Sequence, residues 1–254
     1  MIVNADLSQL EWRVAAFLSQ DPVAMKEIIE DLDYHRDNAI KFFGANPDLD
    51  NDHPDFKPIR TTAKVFGFRL LYGGSAYGMW IDQTMPDYSR SRWEKIVQEY
   101  YEKYKVLQDW QHRNIDQVYK NGGHLRTPSG RILTFPELPP NYRGELYSST
   151  QIKNYPVQSL SFDVVAMAMI VIERKMLDEG LQALMICQVH DSIVFDAPQE
   201  EAQTLARICV ETFEDLPRLL SQYWNVNWNV PLTGDVEAGP SYGEVGKVEW
   251  HMAA

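Results

Sequence analysis

The sequence predicts an α+β protein built on an antiparallel sheet. Strand-like and helix-like segments do not alternate regularly along the chain, which argues against a doubly wound parallel sheet. Two apolar runs, Leu184–Val189 and Ser192–Phe195, flank the polar pair His190-Asp191, the pattern of a β-hairpin. The composition is that of a folded chain: 44% of 254 residues are hydrophobic and 24% charged, enough apolar material for a sizeable core. Disorder and collagen-like structure are excluded on that basis.

The elements follow in order. Ile2–Ala5 reads as a short strand closed by Asp6. From Ser8 the period changes: Leu7, Leu10, Val14, Phe17 and Leu18 share a helical face, and Ser8-Gln9-Leu10-Glu11 matches a capping box. Asp21-Pro22 ends that helix and opens another. Residues 44–58 hold three prolines, one glycine and four acidic residues and read as a solvated loop. A helix follows from Ile59 to Tyr72, stopped by Gly73-Gly74, and residues 90–120 read as one or two helices. Two turns make His124–Phe135 a hairpin, and Pro136–Pro140 is a break. A mostly buried helix is expected to start near Pro156 and cover Val157–Leu177. After the 184–195 hairpin come a helix over Glu200–Leu220 and a last strand around Val230–Val236.

Composition also bounds the function. No apolar run approaches the roughly 20 residues that span a bilayer, and the N-terminus meets an Asp and a Glu at once, so no membrane and no secretory leader are expected. Cys187 and Cys209 are too few for a disulfide framework, which points to a reducing compartment. The net charge of −12 argues against a free-standing nucleic-acid binder.

Several residues carry chemistry in two readings. Asp6 ends a strand and Asp191 sits in a hairpin turn. If their strands are neighbours, two carboxylates converge, and two Mg²⁺ ions are the usual means of holding such a pair. The commoner role for such an Asp is a cap or a turn former. Arg60, Lys64, Phe68 and Tyr72 recur every fourth residue. At about 100° per residue they fall within a stripe about 120° wide. Two cations one turn apart can grip a triphosphate, and two aromatic faces beyond them can stack on a sugar and base. The alternative is an amphipathic helix with a solvated basic end and core aromatics. Glu11 is either the capping-box partner of Ser8 or a residue one turn beyond Asp6. Asn154 and Gln158, four apart, suit minor-groove acceptors or plain polar surface. His190 and Asp33-Tyr34-His35 are ambiguous alone.

In combination these segments resemble family A (polymerase I-like) DNA polymerases, of phage or bacterial type. Asp6-Leu7-Ser8-Gln9-Leu10-Glu11-Trp12-Arg13 resembles motif A, Arg60-x₃-Lys64-x₃-Phe68-x₃-Tyr72-Gly73 motif B, and Gln188-Val189-His190-Asp191 motif C. Asp33-Tyr34-His35, Thr127-x-x-Gly130-Arg131 and Asn154-x-Pro156-x-Gln158 match further family patterns in the family's order. The resemblance implies a palm with an antiparallel sheet and an inserted, mostly helical fingers subdomain. Residues 1–20 would be palm with motif A, 21–138 fingers with the motif B helix at about 59–73, and 139–254 palm with the motif C hairpin at about 184–196.

It also implies roles, residue by residue. Asp6, Asp191 and the Leu7 carbonyl would hold two Mg²⁺ ions. Arg60, Lys64 and His35 would contact a dNTP triphosphate, with Lys64 the proton donor to pyrophosphate. Phe68 would pack on the nucleotide. Tyr72 would sit at the templating position, hydrogen-bonded to Glu11, the steric gate against ribose. Arg131, Asn154 and Gln158 would touch primer–template DNA, and His190 the primer end. The implied function is template-directed DNA synthesis by a two-metal mechanism in a bacterial or phage-infected cytoplasm. A non-catalytic DNA-binding or replisome subunit and an RNA-making relative are the rival readings; Asp6, Lys64 and Asp191 argue against the first, and Glu11 against the second.

Two departures stand out. Ser192 replaces the Glu that usually follows the motif C Asp. Motif A lies at the very start of the sequence, so this is read as either the C-terminal subunit of a split polymerase or a piece cut from a longer one; the Met start favours the first, with thumb and exonuclease expected on a separate, more basic N-terminal partner chain. Strands of that partner are expected to cover an open sheet edge beside Ile2–Ala5.

Overall fold

The computed structural model describes residues 1–139 and 144–248. Pro140, the end of the predicted break, and residues 249–254 of the C-terminal segment lie outside them. The chain divides into two compact units: Met1–Val14, Pro128–Gly130 and Gln158–Ala254 form unit 1, and Ala15–Thr127 and Arg131–Val157 form unit 2.

Unit 1 is an antiparallel five-stranded sheet backed by a helix. Its strands are β1 (Ile2–Leu7), β4 (Leu184–Val189), β5 (Ser192–Asp196), β6 (Gly234–Gly239) and β7 (Gly246–Lys247), in the order β4-β5-β1-β6-β7. The predicted hairpin is β4–β5. The expectation of an open edge beside Ile2–Ala5 is overturned: β1 is the middle strand, paired with β5 on one side and β6 on the other. Period-2 alternation sets its two faces. Val3, Ala5 and Leu7 are fully buried on the side where α9 (Ala202–Trp224) packs against β1 and β6. Asn4 and Asp6 stand on the other face. The last strand starts at Gly234, four residues later than predicted, and the main chain of Asp6 and the ring of Phe213 approach that position too closely for any Cβ, so only glycine fits there.

Unit 2 is mainly helical. Helix α1 (Leu10–Ser19), whose residues up to Val14 belong to unit 1, begins two residues after the predicted cap, so Gln9, at φ +54°, precedes it in place of Ser8; the Ser8 amide, which the capping box would use, donates to the Thr233 carbonyl at 2.8 Å. Asp21 caps α2 (Pro22–Ile29) by accepting from the Val23 and Ala24 amides, and its second oxygen accepts from the Leu107 amide. Next come α3 (Tyr34–Phe43), α4 (Lys57–Leu71), α5 (Ala76–Ile81), α6 (Arg90–Lys103) and α7 (Lys105–Lys120). The core between them is aromatic: Phe42, Phe66, Trp93, Tyr100 and Tyr104 are buried, with Phe66 edge-on to Tyr100 at 5.4 Å. Within it Glu27 pairs with Lys103 at 2.8 Å and accepts from the Tyr104 hydroxyl, so the buried carboxylate is satisfied. Strands β2 (His124–Arg126) and β3 (Ile132–Thr134) form the second predicted hairpin.

Helix α8 (Ser149–Asp178) starts seven residues before the predicted Pro156, which lies in the helix interior. It is the one described helix long and apolar enough to cross a membrane by length and composition; Gln158, Ser161 and Asp163 interrupt its apolar residues, and 44% of its most apolar stretch is buried, as in a core helix. Its apolar residues are also less buried than expected: Val164, Val165, Ala168 and Ile172 are in the core, but Phe162, Ile170 and Leu177 are exposed.

Candidate active site

The two candidate carboxylates of unit 1 meet. Asp6 and Ser192 are register partners across β1 and β5, so the turn residue Asp191 stands beside Asp6. The main chain fixes this placement. The Leu7 amide donates to the Asp191 carbonyl at 3.1 Å, and His190 takes φ +53°, which the two-residue turn requires. On the other side, Arg13 is buried and donates to the Ser8 carbonyl at 2.8 Å, the Pro231 carbonyl at 2.8 Å and the Thr233 hydroxyl at 3.0 Å.

Electrostatics follow from the geometry. Burial, then the charge of Asp191 and a hydrogen bond shared with it, push the Asp6 carboxyl up to about 6, with Asp235 and Glu237 adding to the effect. Burial and the Asp191 charge also raise Glu11, against a smaller opposing pull from His190. Asp235 and Glu237 lie opposite Asp6 and Asn4 on β6. Together with Lys247 these four residues line a shallow cavity of about 170 Å³. The sequence reading missed both acids, although Asp-x-Glu on a strand places them on one face. Ser192 is buried and its hydroxyl donates to the Val189 carbonyl at 2.9 Å. His190 is exposed at the turn.

Among the described residues, no three His, Cys, Asp or Glu groups gather into a metal-binding cluster. The pair nevertheless fits Mg²⁺, a hard cation that keeps several waters and takes one or two carboxylates. Two carboxyls close enough to share a proton are the arrangement that a divalent cation relieves. The Leu7 side chain is fully buried, so its main chain alone could serve as a ligand.

The second group lies in unit 2. Pro58 in the first turn starts α4. Gly73 ends it at φ +82°, with its amide on the Leu70 carbonyl and that of Gly74 on the Arg69 carbonyl. Ala63, Phe66, Gly67, Leu70 and Leu71 face the core. Lys64 is exposed, and Arg60, Phe68 and Tyr72 are partly exposed. The four therefore form a surface stripe, and the core aromatic of α4 is Phe66. Phe68 and Tyr72 rings lie 6.1 Å apart, and His35 lies 6.1 Å from Phe68. His35 is 5% exposed. Burial, then the charges of Arg60 and Lys64, lower it to about 4, so the imidazole is neutral at pH 7. Its buried Nδ1 has no hydrogen-bond partner among the described residues.

The remaining candidates lie on other elements. Arg131 is exposed in the β2–β3 turn, where its carbonyl accepts from the Thr127 amide at 2.9 Å. Asn154 and Gln158 sit one turn apart on α8; Gln158 is exposed, and the Asn154 Oδ1 is buried without a partner among the described residues.

This α+β arrangement is a polymerase-domain fold. The DNA polymerase family A profile matches residues 1–244, and the chain belongs to that family. It is 28% identical over 243 residues to DNA polymerase I of Bacillus caldotenax and to that of Bacillus subtilis (strain 168), covering 95% of this chain and 26% of each relative. DNA polymerase I of Chloroflexus aurantiacus is 27% identical over 246 residues, covering 96% of this chain and 24% of that protein. Among solved structures, the POL domain of Pol1 from M. smegmatis, in complex with DNA primer-template and dNTP, matches with a TM-score of 0.76 at 26% identity. That match covers 94% of this chain and 39% of the other. The chain thus spans about a quarter of the length of the curated relatives it matches.

Proposed function

We propose that the chain is the catalytic part of a template-directed DNA polymerase that adds dNTPs to a primer 3′-OH. Unit 1 acts as palm and unit 2 as fingers. The observation that carries this reading is the carboxyl pair Asp6–Asp191, close enough to share a hydrogen bond, in a family A chain. Asp6, Asp191 and the Leu7 carbonyl would hold two Mg²⁺ ions, which when bound acidify the primer hydroxyl and neutralise charge on pyrophosphate. The chain's own residues bind and orient. Arg60 and Lys64 grip the triphosphate, the neutral His35 adds a hydrogen-bonding ring nitrogen, and Lys64 donates a proton to the leaving pyrophosphate. Phe68 and Tyr72 pack on the nucleotide and mark the templating position, and Glu11 excludes the ribose 2′-OH. Arg131, Asn154, Gln158 and His190 contact primer–template DNA.

A second polypeptide carrying thumb and exonuclease belongs to the proposal because of charge: at −12 this chain repels a polyanion. Primer extension tests the reading. Asp6→Asn and Asp191→Asn should each cut extension by about 10³-fold, since metal charge stabilisation is worth several kcal/mol. Undiminished extension by either variant favours the non-catalytic DNA-binding subunit instead. Activity only on mixing with a co-purifying basic chain supports the two-chain enzyme, and processive synthesis by this chain alone defeats it.

A further inference from the structure

Asp33 has no part in the reading above, yet it is the hub of a polar chain in unit 2. Its Oδ1 caps α3 by accepting from the Arg36 amide at 2.9 Å. Its Oδ2 accepts from Arg60 Nε at 3.0 Å and Nη2 at 2.9 Å, and from Asn51 Nδ2 at 2.9 Å. Asn51 Oδ1 in turn accepts from Arg36 Nη1 at 3.0 Å, and Arg36 Nη2 donates to the Pro47 carbonyl at 2.7 Å. The Arg36 guanidinium also lies 4.5 Å from the centroid of the Phe56 ring, over its face. One chain of bonds therefore ties the acidic loop after α3 to the first turns of α4.

The geometry at Arg60 decides what this does. A guanidinium is a rigid planar fork with two usable edges. Asp33 takes the Nε–Nη2 edge, and among the described residues Nη1 has no partner. The pair is half-buried, with side-chain exposures of 34% for Arg60 and 29% for Asp33, so it is better shielded than a surface pair. Burial raises the Asp33 carboxyl, but the Arg36 amide, Arg60 and Asn51 outweigh it and hold the group below the usual range, so Asp33 stays charged at neutral pH.

We propose that Asp33 and Asn51 are positioning residues for nucleotide binding: they hold one edge of the Arg60 guanidinium so that the other is presented to the triphosphate. The inference rests on the reading of Arg60 as a triphosphate contact. Ordering one long side chain in advance accounts for about 3- to 10-fold in affinity. It also gives the acidic loop a role in nucleotide affinity without any contact to the ligand.

The test is binding of dATP in the presence of Mg²⁺ to the full chain, by titration calorimetry. Asp33→Asn keeps an oxygen to cap α3 but loses the charge; Asn51→Ala leaves the cap untouched and carries the test if Asp33→Asn fails to fold. Each should weaken dATP binding 3- to 10-fold. Asp33→Asn combined with Arg60→Ala should be no weaker than Arg60→Ala alone, because Asp33 acts only through Arg60. Losses that add in the double variant, unchanged affinity, or tighter binding (Asp33 then competing with the ligand for Arg60) overturn the proposal. If Arg60→Ala itself leaves affinity unchanged, or the unaltered chain does not bind dATP, the triphosphate reading fails and takes the proposal with it. If Arg60→Ala weakens binding and Asp33→Asn does not, the positioning role alone fails.

Discussion

Replacing Asp6 by Asn should stabilise the metal-free chain at neutral pH while removing activity. In the folded chain the Asp6 carboxyl titrates at about 6 instead of the ordinary 3.8, because of burial and the adjoining Asp191. The folded state holds this proton more tightly than the unfolded state does. The stability it contributes is present below pH 3.8 and is lost as pH rises through about 6. At pH 7.5 the full shift is equivalent to about 3 kcal/mol. Asp6 is partly open to water, and screening reduces this to about 1–2 kcal/mol. Asn is neutral and can donate to ionised Asp191, so the pair survives without the repulsion. For a chain of this size about 1 kcal/mol corresponds to roughly 2–4 °C, so Asp6→Asn should melt roughly 3–6 °C higher in EDTA at pH 7.5. The gap should nearly close at pH 4. Mg²⁺ should raise the melting temperature of the parent and not of the variant. A variant that melts lower than the parent at pH 7.5 without metal, or two parallel pH curves, would show that like-charge repulsion at this pair is not what the geometry indicates.

Other perturbations follow from the same coordinates. His35 titrates at about 4 in the fold against 6.5 for the ordinary group. The unfolded state therefore gains a proton first, and stability falls as pH drops from 6.5 towards 4. Between pH 6.5 and 4.5 the parent should lose about 2 kcal/mol more than His35→Gln, read from urea unfolding at each pH. Phe68→Tyr should raise dideoxynucleotide incorporation by about tenfold or more, as expected for one hydrogen bond to a charged ligand; an unchanged ratio in primer extension counts against placing Phe68 on the nucleotide. Gly234→Ala should cost about 1–3 kcal/mol in unfolding free energy, because the new Cβ meets the Asp6 carbonyl and the Phe213 ring. Wild-type stability for that variant would show that the strand yields there.

Elements with strong local signals were legible in the sequence. Both hairpins, the split at Asp21-Pro22 and the body of α4 follow from turn chemistry, proline and period. What tertiary context decides was not legible. The Ser8 capping box does not form as read because the Thr233 carbonyl takes the Ser8 amide. Helix α8 runs back through Pro156 although proline usually marks a first turn. Asp6 and Asp191 were read as a pair only if their strands were neighbours, and no local pattern fixes strand order; the middle position of β1 had the same cause. Arg60 was read as one cation of a helical stripe, but its half-burial against Asp33 was invisible, since nothing in the sequence brings residues 27 apart together.

The tie between the Leu7 amide and the Asp191 carbonyl is made of backbone alone. It constrains the distance between the two acidic segments without reference to any particular side chain around them. Neighbouring positions can thus be rewritten freely over evolutionary time, and the gap between the acids stays the same. An engineer wishing to widen the gap would have to break an amide bridge, because altering the packing would leave it in place.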